Sequence, residues 1–214
     1  MKINLRNLND GYLLALLSAA AVLRKEEQIK IILEILKKRN TAARKVYESL
    51  LQTYLFAGYP SAIESLKHFA AYFTAPAASS EKNVFDFSAR GETNCRKIYG
   101  EKYEKLISNI GGISPDLSDW LVCEGYGKVL GRRGLSLMER ELCVISILTV
   151  TKFENQLYSH INGGVRLGLN LNEIEKVIKN VDLLGKRSLS GFGLKVLNNY
   201  RERKKGAVNK TPVE

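Results

Sequence analysis

Cysteine is scarce in this chain of 214 residues, and its placement excludes several classes of protein. The three cysteines, Cys95, Cys123 and Cys143, are far apart and form no Cys-x-x-Cys motif. A disulfide scaffold, a zinc site and a dithiol redox motif are therefore excluded, and we expect reduced thiols in a cytoplasmic protein. Hydrophobic residues make up 45% and charged residues 26% of the chain, which excludes collagen-like and disordered chains.

A hydrophobic run long enough to span a membrane is also lacking. The apolar segment Tyr12–Leu23 follows a basic start and imitates a secretory signal, but a bilayer span needs about 20 residues. Leu13, Leu16, Leu17 and Ala20 repeat at helical spacing in this segment. We therefore interpret it as the first helix of a folded unit, and no membrane partner is expected.

Acidic residues are too few to balance the basic ones: 22 Asp and Glu stand against 33 Lys and Arg, for a net charge of +11. Such a charge attracts nucleic acid, anionic membranes or acidic substrates. The excess is spread along the chain, and no RNA-binding aromatic signature accompanies it. We interpret it as a solvated basic surface with a basic, flexible tail at 201–214, and we do not expect nucleic acid as a partner.

An internal repeat is indicated when the sequence is compared with itself at an offset of 128 residues. Glu26, Gln28, Leu66 and Lys67 then fall on Glu154, Gln156, Leu194 and Lys195. The predicted organisation is a degenerate first repeat unit at 1–73, a linker at 74–95, a second unit at 96–200 and the tail at 201–214. Ala75–Ser80 and Ser88–Glu92 are the segments of the linker that we expect to be loop.

The remaining local patterns predict an all-α fold. Ser136 and Glu139 form a capping box at the start of one helix, and Asn170 or Asn172 caps another. Gly58-Tyr59-Pro60 is expected to break a helix in the first unit. No segment alternates polar and apolar residues over the length of a strand, which is the reason that no sheet is predicted.

The second unit resembles the carboxymuconolactone decarboxylase family, whose superfamily includes alkyl hydroperoxidase D. The resemblance is carried by an ordered set of segments: Tyr126–Leu135, Met138–Leu142, Gln156–Gly164, Gly168 and Asn172–Ile174. Residues 48–66 resemble the closing segment of the same family, so that the chain resembles two fused copies. The resemblance implies an alkyl hydroperoxidase D-like helical fold with a central hairpin, and a homo-oligomer for which dimer and trimer are both open.

Glu141 and His160 are the residues that could carry chemistry. They are 19 residues apart on consecutive predicted helices, and antiparallel pairing of these helices would bring them level. A carboxylate beside an imidazole fixes its tautomer and makes a proton shuttle. Two alternatives stay open at this point: His160 as a structural histidine of the hairpin, and Glu141 as a partner in a structural ion pair.

The family resemblance also defines what this site lacks. In alkyl hydroperoxidase D the same Glu-to-His separation frames a Cys-x-x-Cys motif, whereas Phe153 and Gln156 stand at these two places here. Dithiol peroxidase chemistry is therefore disfavoured, because no thiolate nucleophile is present at the site. The decarboxylase branch lacks the motif too and has a histidine in the place of His160. That branch commonly has an acid where this chain has Lys128.

The predicted function is that of an enzyme of the carboxymuconolactone decarboxylase type. It would act on a small anionic carbonyl or lactone compound by acid–base chemistry through His160 and Glu141, without a cofactor or a metal. Basic residues could hold the anionic substrate; the candidates are Arg132, Arg133, Arg140, Lys128 and Arg166. Each of these could instead be a surface charge.

Two further functions remain in competition with this prediction. The first is a non-enzymatic helical oligomer that has lost the chemistry of the family and serves in binding or assembly. The second is a redox role of the superfamily through another cysteine. Leu13 and Ile32 stand in the first unit where Glu141 and His160 stand in the second, so at most one active copy per chain is expected.

Overall fold

The computed structural model describes residues 4–77, 83–185 and 188–208 and confirms the all-α prediction: these residues form helices and no strand. The α-helices are α1 (Asp10–Val22), α2 (Glu26–Lys38), α3 (Ala43–Leu51), α4 (Tyr54–Ala70), α5 (Val84–Tyr99), α6 (Tyr103–Gly111), α7 (Pro115–Trp120), α8 (Leu137–Thr151), α9 (Glu154–Arg166), α10 (Leu171–Asn180) and α11 (Gly191–Val208). A π-helix, Leu121–Val129, continues α7. Short 3₁₀ turns cover Leu5–Asn7, Gly100–Lys102 and Val181–Leu184.

Two helices form the centre of the molecule and are buried on every side. Each residue from Leu13 to Ala21 of α1 is buried, and so is each residue from Arg140 to Val150 of α8. A helix without a polar face has to be enclosed by other elements, and α1 and α8 pack directly against each other. The segment Tyr12–Leu23 therefore lies in the core of the fold, as its helical spacing predicts.

A single hydrophobic core extends through both halves of the chain, from Leu8 to Tyr200. Helix bounds in the two halves follow the offset of 128 residues: α2 and α9 begin at Glu26 and Glu154, and α3 and α10 begin at Ala43 and Leu171. The two halves thus share helix positions along the chain and also share one core. A fusion of two copies stays a prediction.

One predicted loop is wrong, and part of the predicted tail is helical. The expected loop Ser88–Glu92 lies inside α5, so the linker extends no further than the residues before Val84. Part of the Ala75–Ser80 stretch lies outside the described residues. Residues 201–208 of the predicted tail belong to α11, which continues to Val208; residues 209–214 lie outside the described part of the chain.

Helix ends follow the predicted capping chemistry. The side chain of Ser136 accepts a hydrogen bond from the backbone N–H of Glu139 at 3.2 Å, and the Glu139 carboxylate accepts one from the Ser136 N–H at 2.9 Å. Asn170 caps α10 in the same way, with Glu173 as its partner. Gly58 has φ 72° and ψ 177°, which interrupts α4 at the predicted break.

Replacing Ser136 by alanine is expected to lower the free energy of unfolding by about 1 kcal/mol, because the first turn of α8 loses its side-chain acceptor. Urea unfolding followed by circular dichroism would measure the change. Ser108→Ala in α6 is the matched control, since Ser108 is exposed and does not cap a helix. An equal loss in both variants would contradict the role of the cap.

No helix in the parts of the chain that the structure describes combines the length and the apolar composition that crossing a membrane requires.

Candidate functional site

Glu141 and His160 meet between α8 and α9. The chain turns after α8 at Lys152, whose φ of 63° gives the helix a left-handed end, and α9 begins at Glu154. His160 Nδ1 lies 2.9 Å from Glu141 Oε2, so the proximity predicted from the spacing is confirmed. Glu141 is 2% and His160 is 7% exposed, which places the pair at the edge of the core.

The hydrogen bond to Glu141 determines which nitrogen of His160 can exchange a proton with a bound molecule. A carboxylate only accepts hydrogen bonds, so the proton of this bond belongs to Nδ1. The other ring nitrogen, Nε2, makes no hydrogen bond to any residue that the structure describes. In this tautomer Nε2 is the basic nitrogen, and it can take a proton from a bound molecule and return it.

Two tyrosines that sequence reasoning missed lie beside this pair. Tyr99 at the end of α5 and Tyr126 in the π-helix share a short hydrogen bond between their hydroxyl groups, and their rings meet edge to face with centroids 5.7 Å apart. Burial raises the pKa of both phenols, and the negative charge of Glu141 raises the pKa of both further. The tyrosine hydroxyls are therefore neutral donors near Glu141 at physiological pH.

Glycines allow the helices around Glu141 and His160 to approach closely. A Cβ on Gly163 would lie 2.6 Å from Ile98 Cγ2 and 3.5 Å from Glu141 Oε2, so only glycine lets α9 approach α5 at this place. A Cβ on Gly164 would lie 3.0 Å from Leu169 Cδ1. Gly163 and Gly164 therefore serve the close packing of α9 against its neighbours.

The thiols near the site are not activated. Cys95 lies one helical turn before Tyr99 and is fully buried, and burial together with the charge of Glu92 raises its pKa to about 12. Burial also raises the pKa of Cys143, to about 11. Phe153 and Gln156 are exposed on the surface. The described site therefore supplies no thiolate near neutral pH.

The predicted substrate-binding residues divide between buried and exposed positions. Arg140 is only 2% exposed, and both Arg140 and Arg132 bind the buried carboxylate of Glu48 at 3.1 Å. Arg44 binds the same carboxylate at 3.0 Å. Arg132 and Arg140 are thus engaged in a structural ion cluster that joins α3 to α8 and to the loop before it.

The other three basic residues lie at the surface. Lys128 pairs with Glu124 at 3.5 Å, and Arg133 is exposed. Arg166 lies over Gly100, where an added Cβ would come within 2.2 Å of its guanidinium carbon. Whether any of the five holds an anionic substrate stays a prediction.

The corresponding hairpin of the first half has no titratable pair. Leu13 in α1 and Ile32 in α2 are fully buried in the core.

A metal site is also not evident: no group of three or more His, Cys, Asp and Glu side chains is arranged to hold an ion within the described ranges.

Comparison with known proteins adds one distant relative. No family model matches the chain. The chain is 25% identical over 136 residues to Peroxisomal protein 2 of Schizosaccharomyces pombe, in an alignment that covers 61% of this chain. The aligned part spans 63% of the relative, which is less than two thirds of its length.

Proposed function

We propose that this protein is a small-molecule enzyme in which Glu141 and His160 carry out acid–base chemistry on an anionic carbonyl or lactone compound. The observation that carries the proposal is the buried hydrogen bond of 2.9 Å between the two side chains, with Nε2 of the imidazole left unbonded among the described residues. The resemblance of residues 120–185 to the carboxymuconolactone decarboxylase family supports the same chemistry.

The chemical step is a proton transfer at a carbon next to the substrate carbonyl. Nε2 of His160 takes the proton, and the electron pair of the broken C–H bond moves toward the carbonyl oxygen. Glu141 stabilises the imidazolium that forms, because its carboxylate accepts the Nδ1–H bond throughout. The reverse transfer from Nε2 returns the proton to a different atom of the product. The proposed step uses protein groups only.

Attraction of an anionic substrate is assigned to the exposed basic residues. Arg133, Arg166 and Lys128 are free of the buried cluster at Glu48, whereas Arg132 and Arg140 are held by it. The net charge of +11 raises the local concentration of anions around the whole molecule. A homo-oligomer and a cytoplasmic location remain part of the proposal; the name of the yeast relative gives a peroxisomal location for that protein.

Replacing His160 by glutamine is expected to lower turnover by about 10²- to 10⁴-fold, because Nε2 is the proposed general base. Substrates come from a thermal-shift screen of small carboxylates, lactones and keto acids, in which a ligand raises the melting temperature by binding the native state. Exchange or migration of the proton next to the carbonyl, followed by NMR in D₂O, then measures turnover. His68→Gln, at the second of the two histidines, is the matched control. Its turnover should stay within about twofold of the wild-type value.

The second candidate function is a non-enzymatic oligomer. Glu141 and His160 are only 2% and 7% exposed, and this burial supports the second function. A buried hydrogen bond of this kind can also hold the two helices of a hairpin together. In that case no compound raises the melting temperature, and His160→Gln itself melts several degrees below the wild type. Light scattering would then show whether assembly is the property that remains.

A further inference from the structure

The hydrogen-bonding capacity of the tyrosine pair is only partly used. Two hydroxyl groups carry two protons, and the bond between Tyr99 and Tyr126 uses one of them. Neither hydroxyl makes another hydrogen bond within the described ranges. One proton of the pair is therefore available to an acceptor outside these residues, in a place that is largely closed to solvent: Tyr99 is 9% and Tyr126 is 2% exposed.

Two side chains of α5 hold the backbone on which Tyr126 lies. The Asn94 side-chain amide donates to the carbonyl of Tyr126 at 3.1 Å, and the Arg90 side chain donates to the carbonyl of Gly127 at 2.9 Å. The π-helix that contains Tyr126 is a rare element that occurs often at functional sites. A donor on a backbone that is held in place is suited to a charge that appears only during a reaction.

The end of α5, which carries Tyr99, lies next to the acid–base residues. Ile98, the neighbour of Tyr99, packs on Gly163, which is three residues beyond His160 and thus on the next turn of the same face of α9. The same Gly163 position faces Glu141 Oε2 at 3.5 Å. The end of α5, the carboxylate of Glu141 and the turn of α9 after His160 therefore meet in one place.

We infer that the Tyr99–Tyr126 pair is the hydrogen-bond donor to the carbonyl oxygen of the substrate, and that the substrate is a small carbonyl compound able to form an enolate. This inference rests on the proposed function. As Nε2 of His160 takes the proton from carbon, the C–H electron pair forms a C=C bond and the carbonyl oxygen becomes an oxyanion. The free tyrosine proton donates to that oxyanion, and the charge returns to neutral when carbon is protonated again.

Binding of para-substituted phenols tests the inference without turnover, because a phenolate oxygen imitates an enolate oxygen. Isothermal titration calorimetry with 4-nitrophenol is expected to show a loss of affinity of about 10- to 100-fold in Tyr99→Phe or in Tyr126→Phe, the size expected for a hydrogen bond to a charged group. Tyr158→Phe is the matched control, because the Tyr158 ring packs on Tyr200, away from the pair. It should bind as the wild type does.

Wild-type protein provides a second measurement if either variant fails to fold. With ¹³C at the tyrosine ζ carbons, one or two of the ten tyrosine resonances should move when 4-nitrophenol is added. The inference is overturned if 4-nitrophenol does not bind, or if both phenylalanine variants bind it like the wild type. Turnover that depends on His160 but is unchanged in both variants would overturn it and leave the proposed function standing.

Discussion

Replacing Glu48 by leucine is expected to lower the free energy of unfolding by about 3–5 kcal/mol. The Glu48 carboxylate is fully buried and binds the guanidinium groups of Arg44, Arg132 and Arg140 at 3.0–3.1 Å. Arg140 is almost as deeply buried and would be left as a charge without its counter-ion. Urea unfolding of the purified variant, analysed by linear extrapolation, would measure the loss.

Two controls separate the buried charge from the loss of any glutamate. Glu34→Leu removes the partner of Lys38 in an exposed pair and should change stability by less than about 1 kcal/mol. The double replacement Glu48→Leu with Arg140→Met removes both members of the buried pair, and it should recover part of the stability that Glu48→Leu loses. If the double variant is no more stable than Glu48→Leu, an unpaired Arg140 is not the cause.

Replacing Gly127 by alanine is expected to cost about 3 kcal/mol or more, because the added methyl group has no space. Its Cβ would lie 1.9 Å from the carbonyl oxygen of Phe87, a backbone atom that cannot turn aside. Gly91 faces the π-helix in the same way, with a Cβ position 2.0 Å from the carbonyl oxygen of Val122. Denaturant unfolding measures the cost, and the near-ultraviolet signal of the tyrosines reports any displacement of Tyr126.

Gly206→Ala in α11 is the matched control, and its expected effect has the opposite sign. Nothing lies within 4 Å of a Cβ at Gly206, and alanine is favoured over glycine in a helix by about 0.5–1 kcal/mol. The variant should therefore be as stable as the wild type or slightly more stable. Equal stability of Gly127→Ala and the wild type would mean that α5 and the π-helix are not in close contact.

Local chemistry made several parts of the fold predictable. The capping box of Ser136 and Glu139 depends on residues three apart, and the Glu141–His160 contact depends on two helices joined by a short turn. In both cases the partners are close in sequence, so that helical geometry alone relates them. The helix α1 followed in the same way from the helical spacing of its apolar residues.

Contacts between distant segments could not be predicted in this way. Glu48 and Arg140 are 92 residues apart, and nothing in their spacing shows that the arginine is held by a buried carboxylate. Gly91 was interpreted as part of a loop, whereas it is the residue that lets α5 touch the π-helix. Tyr99 and Tyr126 are 27 residues apart, and nothing in their spacing shows that their hydroxyl groups meet.

The difference between the hairpin α1–α2 and the hairpin α8–α9 determines how many ligands one chain can bind at the proposed site. Leu13 and Ile32 are wholly buried and cannot exchange protons, whereas Glu141 and His160 can. Each chain of 24.0 kDa therefore offers one equivalent of the proposed site. A calorimetric titration should reach its end point at one ligand per chain, and in a homo-oligomer the number of occupied sites would equal the number of subunits.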